Sequence, residues 1–218
     1  MILYVALPYA AMVAFAVGLI WRYRSRATIS ALSSQILESR WLVWGAVPFH
    51  LGMALLALGH LVPLLFPGRW QSLMAQRGAL LTIEALGMGA ALLCLTGLIV
   101  LFIRRLGSAS VRASSTAADA VVLAILIAQV SLGLGVATMY RWGAVWSVRT
   151  TMPYLWSILT LRPDPSLVAG LPNLVTLHLT GAWIVLALIP FTLLVHMFSV
   201  PLGSLVRRPQ KVVWMHSR

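Results

Sequence analysis

The sequence predicts an all-α integral membrane protein, a bundle of five transmembrane helices with its amino terminus outside and its carboxyl terminus in the cytoplasm. Three observations carry that expectation. Hydrophobic residues make up 61% of the 218-residue chain and charged residues only 9%, more apolar surface than a water-soluble core of this size can bury completely. Five mostly apolar runs reach the ~18 residues needed to cross a hydrocarbon layer about 30 Å thick at ~1.5 Å per helical residue. The basic residues sort between alternate connections. The runs are too periodic and too widely spaced to be strands of a barrel.

The first run lies near residues 3–21 and starts without a basic flank or a small-residue cleavage pattern after it, so it is expected to be retained as a helix. The linker 22–41 behind it is polar and carries Arg22, Arg24, Arg26 and Arg40. The second run, near 42–66, and the third, near 80–103, enclose Arg69 and Arg77. Arg104, Arg105 and Arg112 follow in the linker 104–117, which like 22–41 is expected to form short surface helices. The fourth run, near 118–140, opens with Asp119, an acid that complements a helix dipole. The loop 141–171 holds Trp142, Trp146, Tyr154 and Trp156 before the turn Arg162-Pro163-Asp164-Pro165, the composition of an aromatic belt at the interface. The fifth run is placed at 172–200, followed by a tail with Arg207, Arg208, Lys211 and Arg218. No long repeat is visible, and residues 1–218 are read as a single membrane domain.

Counted by side, eleven basic residues flank the first, third and fifth runs where they end, and five (Arg69, Arg77, Arg141, Arg149, Arg162) lie on the opposite side. Positive loops stay in the cytoplasm, which sets the orientation in a bacterial-type cytoplasmic (inner) membrane and accounts for the net charge of +12 without a nucleic acid partner. Cys94 is the only cysteine, so the chain can form neither an internal disulfide nor a thiolate cluster, and Cys94 is read as packing.

Four of the five histidines fall within just two runs: His50 and His60 in the second, His178 and His196 in the fifth. Imidazoles in hydrocarbon are costly unless their nitrogens find partners, and almost no carboxylates are near them. The second and fifth runs point in opposite directions, so His50 pairs in depth with His196, and His60 with His178. Ideal helices separate the first two by about 15 Å and the last two by about 27 Å, a mismatch that tilt or stagger absorbs. His178 and His196 fall five whole turns apart on one face, whereas His60 is rotated about 80° from His50, which predicts a local distortion at Pro48 or Gly52. Two imidazoles per metal suit haem iron, whose macrocycle supplies the four equatorial nitrogens. Zinc would gather more ligands into one tetrahedron. Proton-relay or hydrogen-bonded core histidines in a non-redox transporter or scaffold are the competing reading.

At these residues the chain resembles the gamma subunit of respiratory nitrate reductase, a membrane di-haem cytochrome b, and equally the related gamma subunit of nitrite oxidoreductase. The motifs are Trp21-Arg22-Tyr23, Ser33-Ser34-Gln35, Phe49-His50, Gly59-His60, Val111-Arg112-Ala113, Leu177-His178-Leu179 and His196-Met197-Phe198-Ser199-Val200-Pro201. The resemblance implies two haem b groups, a proximal one on His50 and His196 near the cytoplasm and a distal one on His60 and His178 near the outer face. It further implies oxidation of a membrane quinol beside the distal haem. Electrons would leave through an iron–sulfur beta subunit to a molybdenum alpha subunit that reduces nitrate. A nitrite oxidoreductase would run them the other way, and the cytochromes of sulfite- or heterodisulfide-reducing complexes share the paired histidines.

The family often carries a lysine at the outer start of the third helix, where this chain reads Arg77-Gly78-Ala79-Leu80. Arg77 is the nearest substitute as a quinone or propionate donor, with a snorkelling interfacial arginine as the alternative. Glu84, the one acid well inside a predicted span, is the candidate proton acceptor, with an interfacial contact as its alternative. Arg22, Tyr23, Ser33, Ser34 and Arg112 are candidate donors to the proximal haem's propionates.

Overall fold

The computed structural model describes residues 2–25, 40–113 and 117–197. Among them every regular element is helical, and five helices are long and apolar enough to cross a membrane: Ile2–Ser25, Trp41–Leu65, Arg77–Gly107, Ala117–Met139 and Asn173–Phe191. Lipid offers no partner for backbone N–H and C=O groups, so these apolar segments satisfy their own as helices. Expectations placed on Arg26, Ser33, Ser34, Gln35, the run from Phe198 to Pro201 and the basic tail lie outside the described residues.

The spans pack as a chain of neighbours, second on third, third on fourth, fourth on fifth and fifth on first. Glycines set the closest contact. A β-carbon on Gly52 would stand 2.6 Å from the Cys94 amide nitrogen and 2.7 Å from the Ala90 carbonyl, and one on Gly97 would stand 2.6 Å from the Gly45 carbonyl. Helices in lipid gain little from hydrophobic association, so small residues that bring backbones together supply van der Waals contact instead. These contacts are antiparallel and build the buried cluster of Phe49, Cys94, Leu98, Val122, Leu126 and Leu194.

The first and fifth spans run parallel. The Tyr4 and Thr176 hydroxyls are 3.1 Å apart near one end, and Gly18 admits Pro190 near the other, where an added β-carbon would lie 2.6 Å from the proline ring. One end of the bundle, the loop end, carries 66–76 and 140–172. The other, the basic end, carries Arg22, Arg24, Arg104, Arg105 and Arg112, with Arg105 reaching Asp119 at 3.7 Å.

Two expectations about helix regularity are corrected. The fifth span is α-helical only over Asn173–Leu188 and continues as 3-10 turns at Ile189–Phe191 and Leu193–Met197, not as one helix over 172–200. Pro190 is the cause, since it lacks an N–H and its ring crowds the carbonyl four residues earlier. Arg22 donates from Nε to the Pro190 carbonyl at 2.7 Å, stitching the irregular segment to the first span. The second span, in contrast, is one α-helix from Arg40 to Leu65 through Pro48, Gly52 and Pro63, so the irregularity belongs to the fifth span.

The connection 140–172 folds into a cap made of the short helices Gly143–Trp146, Thr151–Leu159 and Ser166–Ala169. It is more than an aromatic belt. Tyr154, Ile158 and Val168 are wholly buried, with Ala11 and Trp183 in the same cluster. The indole of Trp156 donates to the Leu64 carbonyl at 2.8 Å and that of Trp146 to the Tyr140 carbonyl at 3.1 Å. These bonds satisfy carbonyls near the ends of the second and fourth spans.

Candidate functional site

His60 and His178 face each other, with ring centres 6.3 Å apart and planes at 48°. The spans that carry them, second and fifth, are not among the closely packed pairs. Two metal–nitrogen bonds of about 2.0–2.1 Å, plus roughly 1.1 Å from nitrogen to ring centre on each side, require about 6.2–6.4 Å between ring centres. The observed 6.3 Å is close to that distance.

Nδ1 of His60 lies 2.7 Å from the Leu56 carbonyl, and Nδ1 of His50 lies 2.7 Å from the Ala46 carbonyl. A carbonyl only accepts, so Nδ1 carries the proton in both rings and Nε2 keeps its lone pair. Such a hydrogen bond also fixes ring orientation and raises ligand basicity. Both side chains are exposed on an apolar helix, a costly place for an imidazole facing lipid unless something covers it. Among the described residues no three of His, Cys, Asp and Glu converge. What converges is a pair, and a pair suffices for a metal that brings its own equatorial ligands.

His178 is half-buried against the fourth span. Its Nδ1 lies 3.2 Å from the Gln129 carbonyl, and the Gln129 side-chain amide donates to the His178 carbonyl at 2.9 Å. Gly133 leaves room for the ring, because a β-carbon there would meet His178 Cε1 at 2.8 Å.

The model of the family described as "Nitrate reductase gamma subunit" matches residues 1–215. The nitrate reductase gamma chain of Bacillus subtilis is 31% identical over 94% of both chains. The respiratory nitrate reductase 1 gamma chain of Escherichia coli is 30% identical over 96% of this chain and 95% of its own. The nitrate reductase-like protein NarX of Mycobacterium tuberculosis is 32% identical over 92% of this chain, which spans 32% of that longer protein. The chain belongs to the nitrate reductase gamma subunit family. With that membership come electron transport, an oxidoreductase complex and nitrate respiration, in agreement with five apolar helices.

For a nitrate reductase gamma subunit, the structure distributes the remaining candidate residues unevenly. His196 lies in the turn Leu193–Met197, and its side chain is outside the described part. Leu194, two residues earlier, packs in the same buried cluster as Phe49, the neighbour of His50. With the Pro190 break between them, His178 and His196 are not five regular turns apart on one helix face. Arg112 is exposed and donates to the Leu106 carbonyl at 3.0 Å, and Arg22 is engaged with Pro190. Arg77 is exposed at the start of the third span. Glu84 is half-buried and accepts from the Ala144 amide at 3.0 Å, the interfacial contact given above as its alternative.

Sequence reasoning passed over Gln129, Gly133 and Gly181. A signal existed in the lone amide side chain within the apolar run Ala124–Leu134, followed four residues later by glycine.

Proposed function

We propose that this gamma subunit is a di-haem cytochrome b membrane anchor that oxidises quinol near the loop end. It delivers electrons to an iron–sulfur subunit docked at the basic end, which serves a molybdenum nitrate reductase subunit. The 6.3 Å His60–His178 separation carries this reading. Haem, when bound, supplies one-electron carriage. His60 and His178 would hold the haem toward the loop end, and His50 and His196 the one toward the basic end. Along the second span the two are staggered by about 15 Å. Leu194 and Phe49 belong to the same buried cluster, which supports the second pairing.

The chain's own residues orient and insulate. Leu56 and Ala46 carbonyls hold the ligand protons away from Nε2, and the cap 140–172 covers the loop end. Arg77 is the proposed hydrogen-bond donor to quinol, and Glu84 the proposed proton acceptor. Arg112 is the proposed propionate contact at the basic end. The excess of arginine at that end supports a cytoplasmic position for it, with the amino terminus outside.

The full-length chain, produced in bacterial membranes with haem available, is expected to show b-type reduced-minus-oxidised absorption and two haems per chain. A purified, folded chain without that absorption overturns the reading in favour of a non-redox membrane protein.

A further inference from the structure

His178 is held differently from His50 and His60, whose Nδ1 protons go to carbonyls of their own helix four residues earlier. The His178 ring turns instead toward the fourth span. There Nδ1 lies 3.2 Å from the Gln129 backbone carbonyl and 3.2 Å from the Gln129 side-chain amide nitrogen. The two contacts demand opposite tautomers. A proton on Nδ1, donated to the carbonyl, leaves Nε2 free to coordinate. A lone pair on Nδ1, accepting from the amide, moves the proton to Nε2 and blocks coordination.

Gln129 Nε2 also donates to the His178 backbone carbonyl at 2.9 Å, so Gln129 holds both the ring and the backbone of His178. Ligation through Nε2 requires the first arrangement, with the Nδ1 proton given to the Gln129 carbonyl. Two glycines make this clamp possible. Gly181 lies directly under the Gln129 side-chain oxygen, where any β-carbon would collide, and Gly133 lies under the ring, 2.8 Å from Cε1 by the same measure.

We propose that Gln129 is a positioning residue for His178, setting the tautomer and ring plane with which it ligates, and that Gly133 and Gly181 provide the space for the clamp. The proposal rests on the di-haem reading. It adds a fourth-span residue that touches neither haem iron nor quinol yet governs one axial ligand. The 48° angle between the His60 and His178 rings is then a property held by the fourth span. In a bis-imidazole haem that angle sets the low-spin ferric resonance, and ligand hydrogen bonding tunes the potential.

The test uses the full-length chain in membranes, with haem per chain, the low-spin ferric electron paramagnetic resonance signals and the two midpoint potentials measured together. Gln129→Leu and Gly133→Ala are each expected to shift the resonance and potential of one haem, or to lose that haem, while the other is unchanged. Gly135→Ala is the control for helix composition, since its β-carbon meets only the flexible Leu174 side chain at 3.2 Å. It is expected to leave both signals in place. Two haems per chain with unshifted signals in both variants overturn the proposal and leave the di-haem reading intact. A wild-type chain without haem overturns that reading itself.

Discussion

Glu84 on the third span accepts a hydrogen bond from the backbone amide of Ala144 at 3.0 Å, and the Trp70 indole donates to the carbonyl of the same residue at 2.8 Å. Ala144 is thus pinned on both sides. The first turn of the cap is tied to the third span and to the helix Pro67–Met74 at once. Hydrogen bonds to a charged group contribute more than neutral ones, so Glu84→Ala is expected to lower stability by about 1.5–3 kcal/mol. Glu84→Gln keeps an acceptor oxygen and should lose less than half of that. Thermal unfolding in detergent measures both. If Glu84 also takes the quinol proton, the glutamine variant slows quinol oxidation in the assembled complex while its unfolding temperature stays close to the parent.

The paired histidines make a stoichiometric prediction. His60→Ala and His178→Ala should each reduce haem content from two to one per chain and remove the same spectral component. His50→Ala should remove the other. Pyridine haemochrome assay of the purified variants gives the count. Two haems retained in His178→Ala would contradict the pairing of His60 with His178.

Glycines along the third span are not equivalent. At Gly97 a β-carbon would run into the Phe49 backbone and the Gly45 carbonyl, and neither backbone can move without separating the helices. Gly97→Ala is expected to cost about 1–3 kcal/mol, the usual penalty of overpacking. Gly89 has nothing within 4 Å of the same position. Gly89→Ala should be neutral or slightly stabilising, because alanine loses less backbone freedom in a helix. Comparing the two variants in one unfolding assay separates close approach from helix propensity.

Tyr154, in the cap, is fully buried and donates from its hydroxyl to the Tyr4 carbonyl at 2.9 Å. Burial pushes its pKa up to about 12. The unfolded chain releases that proton near an ordinary value of about 10, while the folded chain still holds it. The stability this difference supplies is therefore complete below about pH 10 and declines as pH rises toward 12. Tyrosinate absorbance should show one of the five tyrosines ionising later than the others, and Tyr154→Phe should abolish that late step. The same substitution leaves the Tyr4 carbonyl without this donor, for a loss of about 1–2 kcal/mol at neutral pH.

The five spans and the four ligand candidates were legible in the chain because each is a local property. An apolar run of sufficient length must become a helix in lipid, whatever its neighbours, and a histidine inside such a run stands out by composition. The depth pairing of His60 with His178 followed from alternating helix direction alone, and the structure brings those rings to 6.3 Å. Local reading failed where the outcome depends on a partner. Pro48 and Pro63 stay inside a continuous helix while Pro190 ends one, and nothing in the residue type distinguishes them. At Pro190 the first span supplies both the glycine that admits the ring and the arginine that takes its carbonyl.

The role of Glu84 divides along the same line. Sequence could mark it as an acid in a membrane span, but only the folded cap supplied the Ala144 amide, sixty residues away, that it accepts from. Gln129 is the clearest case, since its importance lies in a carbonyl and an imidazole on another helix. Sequence by itself determined that five helices cross the membrane and which imidazoles they carry, because hydropathy and spacing act along one chain. Tertiary structure alone decided which backbone groups orient those imidazoles and where a helix breaks, because hydrogen bonds and close contacts between helices require both partners in place.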